Sequence, residues 1–133
     1  MGDALSKLRQ QLGSDYRVLG RLLRVLLRDQ PLVPGTLYLL RRKCGKANCR
    51  CAQGSLHASW VLTRSEGGRN RLYAVPKEQR GRLRSLTREY RLWQLARARW
   101  IRHSAAMVAL MDQMVEGRQV TWPPRKSDGP DSG

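Results

Sequence analysis

Three cysteines and one histidine lie close together and carry the clearest chemical signal in the sequence. Cys44, Cys49 and Cys51 are the only cysteines of the chain, and His57 follows shortly after them. Closed zinc sites take four thiolate or imidazole ligands in a tetrahedron, which leaves no position for water. The C-x4-C-x-C-x5-H spacing therefore predicts a Cys3His zinc site formed by Cys44, Cys49, Cys51 and His57.

The residues between these ligands suit a compact metal loop. Gly45, Asn48 and Gly54 favour tight turns, and such turns let the four ligands converge on one point. Basic side chains around the loop offset the excess negative charge of three thiolates on one divalent cation. These basic residues are Lys43, Lys46 and Arg50.

Two other interpretations of the cysteines stay open. The C-x-C spacing also suits a redox thiol pair, and three unliganded thiols are the remaining alternative. A catalytic zinc ion is disfavoured, because four ligands close its shell and no Glu lies beside them as a general base. The sequence therefore predicts a structural metal site and no enzyme. We expect His103, the other histidine, to be a surface or packing residue.

The charge of the chain narrows the class of partner. Its 133 residues include 26 Lys and Arg against 10 Asp and Glu, which gives a formal net charge of +16. Such a surface repels itself unless a polyanion or counterions neutralise it. Arginine dominates over lysine, and its planar guanidinium suits bidentate contacts with phosphate. The composition predicts a nucleic-acid partner, with DNA preferred to RNA.

A membrane is the least favoured partner. No segment approaches the roughly 20 apolar residues that span a bilayer. We therefore expect a cytoplasmic, nucleoid-associated protein, in which cysteines serve as metal ligands rather than as disulfide partners.

Hydrophobic periodicity predicts an α+β fold. The spacing of leucines predicts a short helix over 3–11, and Ser14 or Asp15 would cap a second helix that Pro31 ends. Strands are predicted over 36–42, 59–65 and 70–75, with a Gly67-Gly68 turn between the last two. The expected fold has two N-terminal helices, a small antiparallel three-stranded sheet with the Cys3His zinc loop, and a long C-terminal helix.

The long helix is predicted from Pro76 to about Val115, with Gly117 ending it. One seam of this helix follows a heptad pattern, which favours a coiled coil and a homodimer. The alternative is that the N-terminal helices cover the seam within one chain. The seam contains Leu83, Leu86, Tyr90, Trp93, Arg97, Trp100, Ser104, Met107, Met111 and Met114.

The predicted organisation is a single zinc-containing basic domain followed by a tail. The domain covers 1–117, and the tail is expected to be disordered because it is rich in Pro, Ser, Asp and Gly. Within the domain, the predicted parts are the helical segment 1–30, the zinc loop and hairpin 35–76, and the long helix 77–116, with the tail over 118–133.

The segment from Arg42 to Pro76 resembles an uncharacterised family of small prokaryotic proteins. Members share a CGK-x-x-C-x-C-x-x-G-x-LHGP-like core, a short hairpin with a Gly-Gly turn, a Val-Pro step and a long helix. The resemblance implies a zinc-finger-like loop and an association with mobile elements. Ala58 and Ser59 replace the Gly-Pro of that core. The residues that match the core are Cys44, Gly45, Lys46, Cys49, Cys51, Gly54, Leu56 and His57.

Three functions follow as hypotheses. The first is a DNA-binding accessory or regulatory factor of a mobile element, and the second is an adaptor whose long helix dimerises or docks a transposase or recombinase. The third, a redox or zinc enzyme, is disfavoured for want of a catalytic set. The residues predicted to contact nucleic acid are Arg41, Arg42, Lys43, Lys46, Arg50, Arg80, Arg84, Arg88 and Arg91.

Overall fold

The fold is α+β, as the sequence predicts. In the computed structural model, which describes residues 2–43, 48, 54 and 56–125, an N-terminal helix precedes three strands and a long helix. The bounds are α1 Gly2–Leu26, β1 Thr36–Arg42, β2 His57–Glu66, β3 Arg69–Ala74 and α2 Arg80–Arg118. A short 3-10 turn, Lys77–Gln79, precedes α2.

The two N-terminal helices predicted from the sequence are wrong, because α1 runs unbroken from Gly2 to Leu26. The predicted break at Gly13 and Ser14 does not occur, since a glycine inside a helix costs only about 1 kcal/mol. Asp15, predicted as a possible cap, lies within the helix, and its Oδ1 is 2.8 Å from His103 Nδ1. This tertiary contact replaces the local capping contact.

The predicted sheet is confirmed. The strands pair antiparallel in the order β1-β2-β3. β1 has the predicted bounds, and β2 is longer than predicted, beginning at His57 opposite Arg42. Gly67 and Gly68, both at positive φ (56° and 81°), form the two-residue turn that joins Glu66 to Arg69. This turn type requires positive φ at both positions, which explains the paired glycines.

The long helix is also confirmed, with different ends. Pro76 and the 3-10 turn precede it, and it extends to Arg118, so that Gly117 lies inside its last turn. Residues 119–125 form neither helix nor strand, and the remainder of the predicted tail lies outside the described residues. None of the described helices is long and apolar enough to cross a membrane.

The chain groups into two compact units. The helical unit comprises the described residues of Met1–Arg24 and Arg97–Gly133, and the sheet unit comprises those of Val25–Ala96. The single domain predicted for 1–117 stays a prediction. Buried apolar side chains are few in both units: Leu22 and Leu110 in the helical unit, and Val61, Leu62, Val75 and Ala96 in the sheet unit.

Backbone contacts hold the sheet unit together outside its ladders. Val33 N donates to Leu86 O at 3.1 Å, which fastens the segment before β1 to α2. Val75 N donates to Trp60 O at 2.9 Å, which continues the β2–β3 pairing past the end of β3. The first bond thus fixes the segment before β1 against α2, and the second fixes the residue after β3 against β2.

Candidate nucleic-acid interface

A groove of about 450 Å³ lies in the sheet unit between the start of β1 and one face of α2. Trp60 of β2 lines it on the sheet side, and Arg84, Arg88, Arg91 and Gln94 line it on the helix side. Its volume falls within the range of pre-formed ligand sites. The groove therefore brings three of the predicted nucleic-acid contacts together around an aromatic ring that the sequence analysis had not selected.

Helical periodicity places the three arginines on one face. Arg84, Arg88 and Arg91 follow at intervals of four and three residues, which project from the same side of a helix. All three are exposed. Their Cα atoms rise by about 6 Å and then about 4.5 Å along the axis. The result is a short row of guanidinium groups along one wall of the groove.

Trp60 is held under two guanidinium groups. The Arg80 Cζ atom lies 5.3 Å from the ring centroid and the Arg84 Cζ atom 5.6 Å, both within the range of cation–π attraction. Arg80 is half-buried. Its Nε is buried and has no hydrogen-bond partner among the residues the structure describes. Arg80 therefore packs on the ring, whereas Arg84 both packs on the ring and lines the groove.

The carboxylates of the sheet unit do not neutralise this row. Glu89 Oε1 pairs with Arg28 Nε at 2.9 Å, and its side chain is only 12% exposed. Within the described part of the chain, no carboxylate lies within ion-pair distance of Arg84, Arg88 or Arg91. The groove therefore carries uncompensated positive charge that an anion can neutralise.

The sheet-side wall depends on a close backbone approach at Gly35. A Cβ added there would lie 2.9 Å from Thr63 O and 3.0 Å from Leu62 Cδ1. Because the Thr63 oxygen belongs to the backbone of β2, no larger residue fits without moving a strand. On the helix side, the buried Thr87 hydroxyl donates to Leu83 O at 2.8 Å. Its bond to the helix backbone leaves the arginines and Gln94 as the main polar groups on that wall.

A second charged cluster lies on the β2–β3 hairpin. Glu66 accepts a hydrogen bond of 2.6 Å from the Tyr73 hydroxyl and lies 3.2 Å from Arg64 Nε and 3.3 Å from Arg71 Nε. Among the residues that the structure describes, Arg64 Nε has no hydrogen bond of good geometry, so its contact with Glu66 is an ion pair. Arg64 and Arg71 are direct cross-strand neighbours, and Glu66 offsets their repulsion.

The Tyr73 hydroxyl in this cluster is harder to ionise than an ordinary phenol. Its hydrogen bond to Glu66 raises the pKa of Tyr73, and desolvation and the negative charge of Glu66 raise the pKa further. Arg71 and Arg64 oppose these effects by lowering the pKa. In the hairpin cluster, Glu66 thus offsets part of the charge of Arg64 and Arg71, whereas no carboxylate of the described residues pairs with the groove arginines.

The other predicted contact residues lie elsewhere or outside the described residues. Arg41, Arg42 and Lys43 are exposed at the end of β1, where Arg42 and Lys43 border a separate recess with His57. Lys46 and Arg50 lie outside the described residues.

The predicted zinc ligands are described only in part. His57 is the first residue of β2 and pairs with Arg42, whereas Cys44, Cys49 and Cys51 lie outside the described residues. Gly54, which the sequence assigns to a turn before His57, has a φ of 110°, a conformation that other residues rarely adopt. Among residues 2–43, 48, 54 and 56–125, no group of three or more His, Cys, Asp or Glu is placed to hold a metal ion.

Sequence reasoning missed Trp60, Gly35 and Gln94. The alternation of β2 places Trp60 on the same sheet face as Leu62, but nothing in the pattern shows which helix residues lie over it.

His103, expected to be a surface or packing residue, is half-buried and contacts Asp15 within the helical unit.

Comparisons with known proteins give a family and no activity. A family model described as Domain of unknown function (DUF6788) matches residues 3–85, which is more than half of the chain. The matched segment includes Trp60, Arg80 and Arg84 and ends before Arg88 and Arg91. No curated protein and no solved structure matches the chain.

Proposed function

We propose that this chain, which belongs to the family Domain of unknown function (DUF6788), is a zinc-stabilised basic protein that binds nucleic acid through the groove of its sheet unit. DNA is the preferred ligand, and RNA is the alternative. Its action is binding and not catalysis. Following the resemblance of its cysteine loop, we further propose that it is an accessory or regulatory factor of a mobile element, acting at the nucleoid beside a transposase or recombinase.

The observation that carries this proposal is the uncompensated row of Arg84, Arg88 and Arg91 in the groove. Guanidinium groups at these spacings suit successive phosphates, which they bind bidentately. Trp60 on the opposite wall of the same groove adds an aromatic surface. Nucleic acid combines regularly spaced anions with planar bases, and this groove offers a complementary group for each.

The zinc part of the proposal rests on the ligand spacing and on His57. Cys44, Cys49, Cys51 and His57 would hold the metal, which supplies folding energy to a unit that buries few apolar side chains. Arg41 and Arg42 end the strand that leads into this loop, and Lys43 follows them. They would extend the basic surface from the loop along β1.

Binding across a salt series tests the proposed function. We expect wild-type protein to bind DNA tightly at 50 mM salt and to weaken steeply as salt is added, because each neutralised phosphate releases counterions. Replacing Arg84, Arg88 and Arg91 together by Ala should flatten the slope of log affinity against log salt by about two to three. The loss should be similar for all base sequences, since phosphate contacts carry no sequence information.

The matched control replaces the same three arginines by Lys. Lysine keeps the charge as a point contact, so the salt slope should stay within about one unit of the wild-type value. Wild-type protein without affinity for either DNA or RNA at 50 mM salt would contradict the proposed function.

A second candidate function, self-association, is favoured by an exposed apolar stripe on the helical unit. Ile101, Val108 and Val115 recur at seven-residue intervals and are 51%, 57% and 55% exposed, with Met111 beside them at 47%. The stripe adjoins the predicted heptad seam, most of whose members are half-buried. The half-buried seam supports its coverage within one chain and leaves the stripe as the candidate dimer face.

The charges beside the stripe favour a second copy in antiparallel orientation. Arg97 and Arg102 lie near its N-terminal end, and Asp112 and Glu116 lie near its C-terminal end. An antiparallel copy brings the acidic end of one helix opposite the basic end of the other. Sedimentation should then show a species of twice the 15.2 kDa chain mass.

Val108→Glu should reduce this species to monomer, because it places a charge in the stripe. Gln113→Glu, which adds the same charge at another exposed position of α2, should leave it unchanged. A wild-type protein that sediments only as monomer at micromolar concentration would remove this candidate.

A further inference from the structure

The shape of the groove restricts the form of nucleic acid that fits it, an argument that rests on the proposed function. Proteins that read duplex DNA commonly insert a projecting helix or ribbon into a major groove about 12 Å wide. The arginine face of α2 does not project in that way. The start of β1 and Trp60 of β2 form the opposite wall of the recess that Arg84, Arg88 and Arg91 line.

A single strand is narrow enough to lie in such a recess. Proteins that bind single strands combine a positively charged groove, which follows the backbone, with aromatic side chains on which bases stack. The sheet unit has both parts within one groove. Its arginine row rises by about 10 Å from Arg84 to Arg91, a length that covers at most about three phosphate intervals of one strand, since successive phosphates of a strand in a duplex are about 3.4 Å apart along the axis.

The stacking surface is pre-formed. Trp60 lies under the guanidinium groups of Arg80 and Arg84 at 5.3 and 5.6 Å. Arg80 is half-buried and lies outside the groove lining, whereas Arg84 is exposed and lines it. Arg80 thus fixes the ring, and Arg84 extends the stack towards the ligand. Arginine planes and tryptophan rings both accept unpaired bases.

The far end of the groove carries an oriented amide. Gln94 Nε2 donates to the Tyr90 hydroxyl at 3.0 Å, and the Tyr90 ring stacks on Trp93 with centroids 6.3 Å apart. Gln94 is therefore held in place by a neighbour that is itself packed. A side-chain amide so positioned can hydrogen-bond to the edge of an unpaired base.

We propose that this groove binds one unpaired strand of nucleic acid, whose backbone follows Arg84, Arg88 and Arg91 while a base stacks against Trp60 and Arg84. The ligand class is single-stranded DNA or RNA, because backbone charge and base stacking are common to both. Duplex binds more weakly, through contacts of its outer phosphates with the arginine row alone.

The test measures the affinity of the full-length protein for a fluorescent strand of about 16 nucleotides, at the upper end of single-strand site sizes. The same strand annealed to its complement is the duplex arm, and DNA and RNA versions are compared. We expect about five- to a hundredfold tighter binding of the strand than of the duplex, which corresponds to one stacked base at about 1–3 kcal/mol.

Trp60 variants separate stacking from charge. Trp60→Leu should weaken strand binding about five- to a hundredfold and leave duplex binding unchanged, whereas Trp60→Phe should retain most of the preference. Because Trp60 is half-buried, each variant is first checked for a wild-type melting curve. If Trp60→Leu does not fold, the preference for strand over duplex is measured on wild-type protein alone. Unlabelled strand and unlabelled duplex are then compared for how well each displaces the fluorescent strand.

The outcomes distinguish this inference from the function on which it rests. Equal affinity for strand and duplex, with a salt slope that still depends on the groove arginines, would overturn the single-strand assignment and keep nucleic-acid binding. A folded Trp60→Leu protein with unchanged strand preference would also overturn it. Binding of neither form at 50 mM salt would end both.

Discussion

The sheet unit and the helical unit leave different kinds of surface exposed. Among the described residues of the sheet unit, ion pairs join Arg28 to Glu89 and join Glu66 of the hairpin to two arginines. The same unit leaves an arginine row open in a groove. The helical unit pairs Asp15 with His103 and leaves an apolar stripe open. An exposed row of one charge suits a polyanion, whereas an exposed apolar stripe suits a protein surface. The comparison suggests that binding and assembly are carried by separate units.

Removal of the metal should produce the largest difference between the units. We expect close to one zinc ion per chain, and Cys49→Ser or His57→Ala should abolish both the zinc and the cooperative unfolding of the sheet unit, because metal binding and folding are linked in small zinc modules. The helical content from α1 should persist. Elemental analysis and circular dichroism check the two parts together.

Soluble, folded wild-type protein that contains no zinc would contradict this prediction. As a control, Ser59→Ala alters an exposed residue of β2, the strand that begins at His57. This variant should change neither the zinc content nor the unfolding transition.

Truncating one core leucine in each unit should reveal a smaller difference, in the cost to the free energy of unfolding. Leu62 and Leu110 are equally buried, each 6% exposed, but Leu62 lies in the central strand between Leu37 and Tyr73. Leu62→Ala should cost about 3–5 kcal/mol of unfolding free energy, and Leu110→Ala about 2–3 kcal/mol, because a helix pair collapses more readily around a cavity. Urea unfolding measures both costs, and a larger cost for Leu110→Ala would reverse the ranking.

Two glycine substitutions should have opposite signs. Gly68→Ala should destabilise the hairpin by about 1–2 kcal/mol, because its φ of 81° is unfavourable for a residue with a Cβ. Gly20→Ala in α1 should stabilise the protein by about 0.5–1 kcal/mol, since a Cβ there meets no atom of the described residues within 4 Å beyond the local helix backbone, and alanine favours helix. Thermal melting of both variants checks the signs, and two shifts in the same direction would disprove the contrast.

The smallest effect concerns Tyr73. Because its folded-state pKa is raised by the bond to Glu66, this group stabilises the fold below its ordinary pKa of about 10. The contribution is lost as pH rises through the raised pKa. Glu66→Gln should move the pKa of Tyr73 back towards the ordinary value. The difference in tyrosinate absorbance between the wild-type protein and Tyr73→Phe isolates this residue, and an unchanged titration in Glu66→Gln would contradict the assignment.

Local patterns in the sequence predicted most of the fold. Thr36–Arg42 was predicted without error, because its apolar and β-branched residues precede a cysteine loop, and Gly67-Gly68 fixed the hairpin turn. The break in α1 was wrong because Asp15 has a partner, His103, far away in sequence. Periodicity along the chain contains no information about such a contact.

In the candidate site, too, local patterns were predictable from the sequence and contacts between distant residues were not. Helical spacing alone placed Arg84, Arg88 and Arg91 on one face. The role of Trp60 as the opposite wall depends on tertiary packing of β2 against α2, and the closeness of Gly35 to Thr63 depends on strand pairing. Neither has a signal in a single sequence.

The central claim is that the position of the groove arginines, and not the net charge of +16, determines binding. Its most direct test compares two variants that lose equal charge at the same helical spacing: Arg84, Arg88 and Arg91 replaced by Ala in the sheet unit, and the exposed Arg17, Arg21 and Arg24 replaced by Ala in the helical unit. Both are titrated against the same strand across a salt series. The account predicts a slope flattened by about two to three for the groove variant and by less than about one for the other. Equal flattening in the two variants would contradict it.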